Sequence, residues 1–164
     1  MRAMVAAPGK TGFGLPLQTK LTAADTARRQ MSDTGAAEVL LAGDGSDPER
    51  DDFPAEFRAL LHDVPLRYVD LNAEALFPDA AAVVLLGPAA DDGPAAARDF
   101  YAAAPGVVET VETGGAVAYT VHALPPAAAP PPAVILPAPA LLANFARITG
   151  YNPLRFGPDG AVWD

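Results

Sequence analysis

The chain has 164 residues, of which 51% are hydrophobic and 19% charged; this excludes a wholly disordered chain and is enough for one folded domain. The formal net charge is −9, and no cluster of Lys and Arg interleaves with aromatic residues, which excludes nucleic acid as a partner. Cysteine is absent, which excludes disulfides, zinc–thiolate sites and thiol chemistry.

The N-terminal residues 1–19 mix Gly, Pro and small residues without periodicity, which predicts an irregular arm. Gly9-Lys10-Thr11 resembles the end of a phosphate-binding loop, but Met4 stands where that motif requires its first glycine. The apolar stretch before Pro8 is too short for a signal peptide. We therefore predict neither a nucleotide site nor a secretion signal in this arm.

Residues 20–124 have the pattern of an α/β domain. A capping-box-like start at Thr22 and a glycine at Gly35 predict a first helix between them. The apolar run 39–42 is typical of a central strand buried on both faces. Apolar residues at helical spacing from Phe53 predict a second helix, capped by Asp52.

The second half of this domain adds three elements and a hairpin. Strands are predicted over 66–71 and 81–86, with a turn at Pro78 between them, followed by a helix that Gly93-Pro94 opens. Two antiparallel edge strands then flank a three-residue loop, Thr113-Gly114-Gly115. We predict a three-layer Rossmann-like or flavodoxin-like, mostly parallel sheet with an antiparallel edge hairpin and a Pro-rich C-terminal extension.

The C-terminal region divides into two segments. Residues 125–139 are rich in proline and predict an extended linker, since so many prolines exclude a helix, membrane-spanning or otherwise. Residues 140–164 carry a turn signal at 157–160 and predict a hairpin, interpreted as the start of a truncated β domain.

The loop after the first strand is the leading candidate for a ligand site, because open α/β sheets bind ligands beyond the carboxyl ends of their strands. The candidate ligand-binding residues are Asp44, Ser46 and Asp47. Their oxygens suit a divalent cation or a sugar, but the spacing lacks the EF-hand pattern, and Pro48 replaces the third glycine of a dinucleotide fingerprint. The alternative is a solvated loop that leads into the second helix and binds no ligand. Whether a metal ion binds here is therefore left open by the sequence.

Catalytic chemistry has few candidates in this sequence. The histidines are His62, expected at a helix end, and His122, expected on an edge strand facing solvent or a loop. The serines are Ser32 and Ser46, and no motif joins a serine to a histidine. We predict no catalytic residue and no cofactor.

The order of features resembles a known family. The resemblance is carried by GAAEVLLAGDGSDPERDDFPAEFRALL (35–61), VPLRYVDLNAEALFPDAAAVVLLGP (64–88), VETVETGGAVAYTVHALP (108–125) and LLANFARITGYN (141–152). Over about residues 21–163 the chain resembles the soluble extracytoplasmic C-terminal region of bacterial polytopic glycosyltransferases, of the dolichyl-phosphate-mannose protein mannosyltransferase-like kind. Asn144, Gly150, Tyr151 and Trp163 occupy comparable places, whereas Phe145 replaces a glycine often seen there.

This resemblance implies an accessory role. In that family the catalytic acid lies in an early extracytoplasmic loop among the membrane spans, and no residue here corresponds to it. The chain is then expected to be a non-catalytic domain at the extracytoplasmic face of the cell membrane. Its implied partners are the membrane-embedded domain of the same parent protein and a glycan or lipid-linked acceptor.

Two other hypotheses remain open from the residues alone. One is a stand-alone, cytoplasmic, doubly wound enzyme or ligand- or metal-binding protein that uses the acidic loop after the first strand. The other is a purely structural role, in which the Pro-rich tail and the acidic surface make protein contacts.

Overall fold

The computed structural model describes residues 14–88, 95–126, 151–156 and 162–163, with the backbone alone for 95–96 and for the last two segments. Within these ranges the chain forms α1 (Leu17–Thr34), β1 (Val39–Gly43), α2 (Asp52–Leu60), β2 (Leu66–Asp70), β3 (Glu74–Pro78), β4 (Ala82–Leu86), α3 (Ala95–Ala103), β5 (Val107–Thr113), β6 (Ala116–Leu124), β7 (Tyr151–Phe156) and β8 (Val162–Trp163). The fold is mixed α/β. The arm at 1–13, with its Gly9-Lys10-Thr11, lies outside the described residues.

Five strands form the main sheet in the order β2-β1-β4-β6-β5. β1 is parallel to β2 and to β4, whereas β6 is antiparallel to both β4 and β5. Every residue of β1 and of β4 is buried, which confirms the prediction of central strands from two continuous apolar runs.

Side-chain alternation along the central strands supplies two hydrophobic cores, one on each face of the sheet. Leu41 of β1 packs with α1 and α2 on one face, in a cluster that includes Phe57. Leu40 packs on the other face, with β3 and with Tyr101 of α3. The chain leaves β1 toward β2 through α2 and leaves β4 in the opposite direction through α3, so the two crossovers lie on opposite faces and share one hand.

The first helix begins earlier than predicted. The amides of Thr19 and Lys20 donate to the carbonyl of Pro16 at 3.0 and 3.3 Å, so helical bonding starts there and not at Thr22. Thr22 is a mid-helix residue whose hydroxyl donates to the carbonyl of Gln18 at 2.9 Å. Gly35 ends the helix with φ 67°, as predicted.

The hairpin of β5 and β6 has a shorter loop than predicted. Thr113 pairs with Ala116, which leaves Gly114 and Gly115 as a two-residue turn with φ 59° and 81°. Positive φ at both central positions is the type I′ geometry that matches strand twist. β6 is also not an edge strand, since it lies between β4 and β5.

The strand β3 replaces the turn that was predicted at Pro78. Four of its five residues are buried, and Pro78 is its last residue. β3 pairs antiparallel with β7, where Leu76 stands opposite Pro153. The amide and carbonyl of Leu76 bond instead to the hydroxyl of Tyr101, at 2.8 and 3.1 Å. Pro153, which has no amide hydrogen, is tolerated opposite Leu76 because Leu76 directs its own backbone groups away from β7.

The two C-terminal strands, β7 and β8, lie in the segment for which a hairpin was predicted. β7 and β8 pair antiparallel, with Phe156 opposite Val162 and Arg155 opposite Trp163, whereas the predicted turn at 157–160 lies outside the described residues. With β3 they form a second sheet in the order β3-β7-β8. The Pro-rich segment lies outside the described residues from 127 onward. Among the helices that the structure describes, none is long and apolar enough to cross a membrane.

Candidate functional site

The candidate site lies where β1 and β4 end side by side. Gly43 ends β1 and Gly87 follows β4, and the amide of Gly87 donates to the carbonyl of Ala42 at 2.8 Å. The crossovers leave these two strands toward opposite faces, and in open α/β sheets this arrangement places a crevice between the two carboxyl ends. In open α/β sheets such a crevice is the usual ligand position.

Arg98 of α3 reaches into this crevice. Its Nη1 donates to the carbonyl of Gly87 at 2.9 Å and its Nη2 to the carbonyl of Pro88 at 3.0 Å. Nη2 also lies 3.3 Å from Oδ1 of Asp44, in an ion pair whose side chains are 18% and 27% exposed. The guanidinium therefore links the ends of β1 and β4 and neutralises the first acid of the loop.

The ring of Phe53 fills the crevice from the side of α2. A Cβ atom at Gly43 would come within 2.8 Å of this ring, and one at Gly87 within 3.1 Å. The two glycines therefore let a buried aromatic ring lie across both strand ends. The ring continues into an aromatic cluster, with its centroid 5.1 Å from that of Phe57.

The acidic loop after β1 uses its carboxylates internally. Oδ1 of Asp47 accepts the amide of Glu49 at 2.9 Å, and Oδ2 of Asp51 accepts the amide of Asp47 at 2.8 Å. Asp51 stands at the N-cap position of α2, and Asp52 is the first helical residue, so the predicted cap at Asp52 is wrong by one residue. The loop is held by the bonds of a compact turn.

The three predicted ligand residues are close together in the sequence, but their side chains do not converge on one binding site. Asp44 faces Arg98, Asp47 closes the turn, and Ser46 lies half-buried between them. Within the described part of the chain, no three His, Asp or Glu side chains gather as metal ligands. Arg98 was missed from the sequence because only the tertiary fold brings α3 to the end of β1.

The histidines differ from each other in environment. His62 is exposed, and its Nδ1 lies 3.2 Å from the carbonyl of Ala59 at the end of α2. His122 is 1% exposed on the interior strand β6, which contradicts the predicted edge position facing solvent or a loop. Neither ring nitrogen of His122 has a hydrogen-bond partner of normal geometry among the described residues.

The buried ring of His122 predicts a pH-dependent stability. Burial lowers its pKa, while backbone groups of Pro105 and Tyr101 act in the opposite direction with less effect. The unfolded chain, with an ordinary pKa of about 6.5, binds a proton that the folded chain does not. We therefore expect the free energy of unfolding to fall as the pH drops below about 6.5, until the pH reaches the lowered pKa.

Urea denaturation at several pH values between about 5 and 7 measures how the free energy of unfolding depends on pH. This range lies above the ordinary pKa values of carboxylates. The slope with pH should disappear in His122→Leu and persist in His62→Gln, which changes an exposed histidine. An unchanged slope in His122→Leu would refute the assignment.

Comparison of the chain with known protein families, with curated proteins and with solved structures gives no match.

Proposed function

We propose that this chain is a non-catalytic accessory or binding domain of a membrane-bound glycosyltransferase-like protein, at the extracytoplasmic face of the cell membrane. The proposal rests on the sequence resemblance over about residues 21–163. It includes a Rossmann-like or flavodoxin-like layering for the sheet and its helices, and a Pro-rich extension that joins the domain to a further β segment.

The observation that carries the binding role is the closed crevice between β1 and β4. An α/β enzyme would keep reactive groups open to substrate at this position. Here Arg98 is committed to two carbonyls and to Asp44, and Phe53 covers the strand ends. These contacts favour a role as a rigid surface that binds a ligand. They are less suited to a catalytic cavity that transforms a substrate.

The surface beside this crevice offers acceptor oxygens for a sugar. Asp44 and Asp47 keep partly exposed carboxylates, and Ser46 adds a hydroxyl between them. Carboxylates accept hydrogen bonds from hydroxyl groups, and the turn fixes their spacing. The proposed ligand is therefore the glycan part of a lipid-linked or protein-linked acceptor.

Vesicle flotation tests this ligand. The probes are vesicles that carry polyprenyl-phosphate mannose, vesicles that carry polyprenyl phosphate alone, and plain phosphatidylcholine vesicles. We expect the chain to float with the first set only, and at least tenfold weaker binding in Ser46→Ala with Asp47→Asn. Asp33→Asn, which changes another exposed acid, at the end of α1, is the matched control and should bind normally. Absence of binding to the mannose-bearing vesicles would refute the sugar ligand.

The membrane-bound parent is tested separately. We expect the natural transcript to encode hydrophobic spans in the same reading frame as this domain. A reading frame limited to residues 1–164, with no membrane-protein gene beside it, would count against the glycosyltransferase relationship.

A second candidate function is divalent cation binding by a stand-alone protein, favoured by the position of the acidic loop at the strand ends. Arg98 opposes it, because its charge lies 3.3 Å from the carboxylate of Asp44. Under the proposed accessory role, calorimetry with Mg²⁺, Ca²⁺ and Mn²⁺ is expected to give no binding heat at millimolar concentrations. Heat that disappears in Asp44→Ala with Asp47→Ala would favour the second candidate instead.

A further inference from the structure

β5 is the last strand at one edge of the main sheet. β5 has seven residues and pairs with β6 along one side. On the other side, no strand among the described residues pairs with it. The strand contains no proline and no lysine, two of the residues that natural edge strands use against pairing with other chains.

One face of β5 is exposed along its whole length. Val111 packs into the core beside α1 and α2, so its alternate neighbours Val108, Thr110 and Glu112 project from the opposite face. These three residues are exposed, and Val108 is 50% exposed. The bulge in the hairpin leaves Ala118 of β6 unpaired, so β5 itself keeps a regular alternation.

The negative charge at this edge is partly neutralised by the chain's own residues. Glu109 accepts hydrogen bonds from both Nη atoms of Arg29, at 3.1 and 2.7 Å, and from the side-chain Nε2 of Gln30 at 3.0 Å. The neighbouring Arg29 lowers the pKa of Glu109. A second strand that approaches β5 therefore meets, on the exposed face, one acid that has no ion pair with the described residues, Glu112.

One antiparallel register pairs all seven residues of β5 with a second copy of the strand and places no like charges opposite each other. Antiparallel pairing of two identical strands in one sheet needs a two-fold axis at a residue. With the axis at Thr110, all seven residues pair: Val107 opposite Thr113, Val108 opposite Glu112, and Glu109 opposite Val111. Axes at Glu109 or Glu112 would place like charges opposite each other, which destabilises a pair.

We infer that two copies of this chain associate through β5, antiparallel about a two-fold axis at Thr110, to form one continuous sheet. Thr110 then faces its own copy, a pairing that is favourable between strands. A single added strand buries less than a standard interface, so the dissociation constant is on the order of 10–100 µM. This inference is independent of the proposed function.

Sedimentation velocity of charge variants tests this two-fold axis. Thr110→Glu and Thr110→Lys should each weaken association at least tenfold, because each places like charges opposite each other. An equimolar mixture of the two should restore dimers, since Glu then faces Lys. Val117→Lys is the matched control: Val117 is 56% exposed but lies on β6, one strand inside the edge and opposite Glu112, and its replacement should leave association unchanged.

A single introduced cysteine tests the register directly, because the chain has none of its own. Opposite residues of antiparallel strands have Cα atoms about 4.5–5.5 Å apart, within the range that a disulfide spans. With oxidised glutathione as the electron acceptor, Thr110→Cys should form a covalent dimer, and Val117→Cys, at another exposed position, should not. A chain that stays monomeric at about 100 µM and above, or equal cross-linking of the two variants, would overturn the inference.

Discussion

Replacement of Gly106 with alanine is expected to lower the free energy of unfolding by about 3 kcal/mol or more. Gly106 lies between α3 and β5 with φ 142°, a conformation that residues with a side chain rarely adopt. A Cβ atom there would overlap the carbonyl oxygen of Ala123 and approach Nε2 of His122 to 2.8 Å. Both obstacles belong to β6 in the interior of the sheet, so neither can move away cheaply.

Gly35 supplies the matched control for this substitution. Its φ is 67°, so alanine there is also strained, but no atom lies within 4 Å of the added Cβ. Gly35→Ala should therefore cost only about 1 kcal/mol. Urea denaturation of the two variants measures the difference, and equal costs would mean that the close approach to β6 does not constrain the fold.

The central strands were predictable because burial on both faces leaves a direct signal in the sequence. Val39 to Ala42 and Ala82 to Leu86 contain no polar residue, and this alone indicates strands that are covered by helices on either side. α2 and α3 were predictable for a related reason, since their apolar stripes repeat at helical spacing. These signals are local, so tertiary structure is not needed to read them.

The errors arose where a residue's role depends on a distant partner. Pro78 reads locally as a turn, but β3 exists because Tyr101 satisfies the backbone of Leu76 and β7 pairs with its other side. His122 was placed at an edge because the pairing of β6 with β4 has no signature in the sequence.

The candidate site was only half predictable. Asp44 was identified from its position after the first strand. Arg98 and Phe53 were not, since their roles depend on two helices that arrive from opposite faces of the sheet. Arg98 and Phe53 close the crevice between β1 and β4. Asp44, predicted as a free ligand, is therefore one half of an ion pair.

Two buried tyrosines of the described chain allow a test of how β3, and with it the second sheet, is attached to α3. Tyr101 and Tyr119 are 0% and 1% exposed, and burial raises the pKa of both hydroxyls. The hydroxyl of Tyr101 bonds the amide and the carbonyl of Leu76, whereas that of Tyr119 has no partner among the described residues. The same substitution therefore removes two bonds at one site and none at the other.

Tyr101→Phe should lower the free energy of unfolding by about 1–3 kcal/mol, because it leaves two buried backbone groups of β3 without partners. Tyr119→Phe should leave stability unchanged or raise it by about 1 kcal/mol, because it removes a buried hydroxyl that makes no bond while the ring keeps its contact with Phe57. Urea denaturation gives both values, and amide hydrogen exchange at Leu76 should accelerate in the Tyr101 variant alone. Equal stability changes, or an unaltered exchange rate at Leu76, would show that β3 is held by its pairing with β7 and by apolar packing, and that the tyrosine hydroxyl does not fasten it to α3.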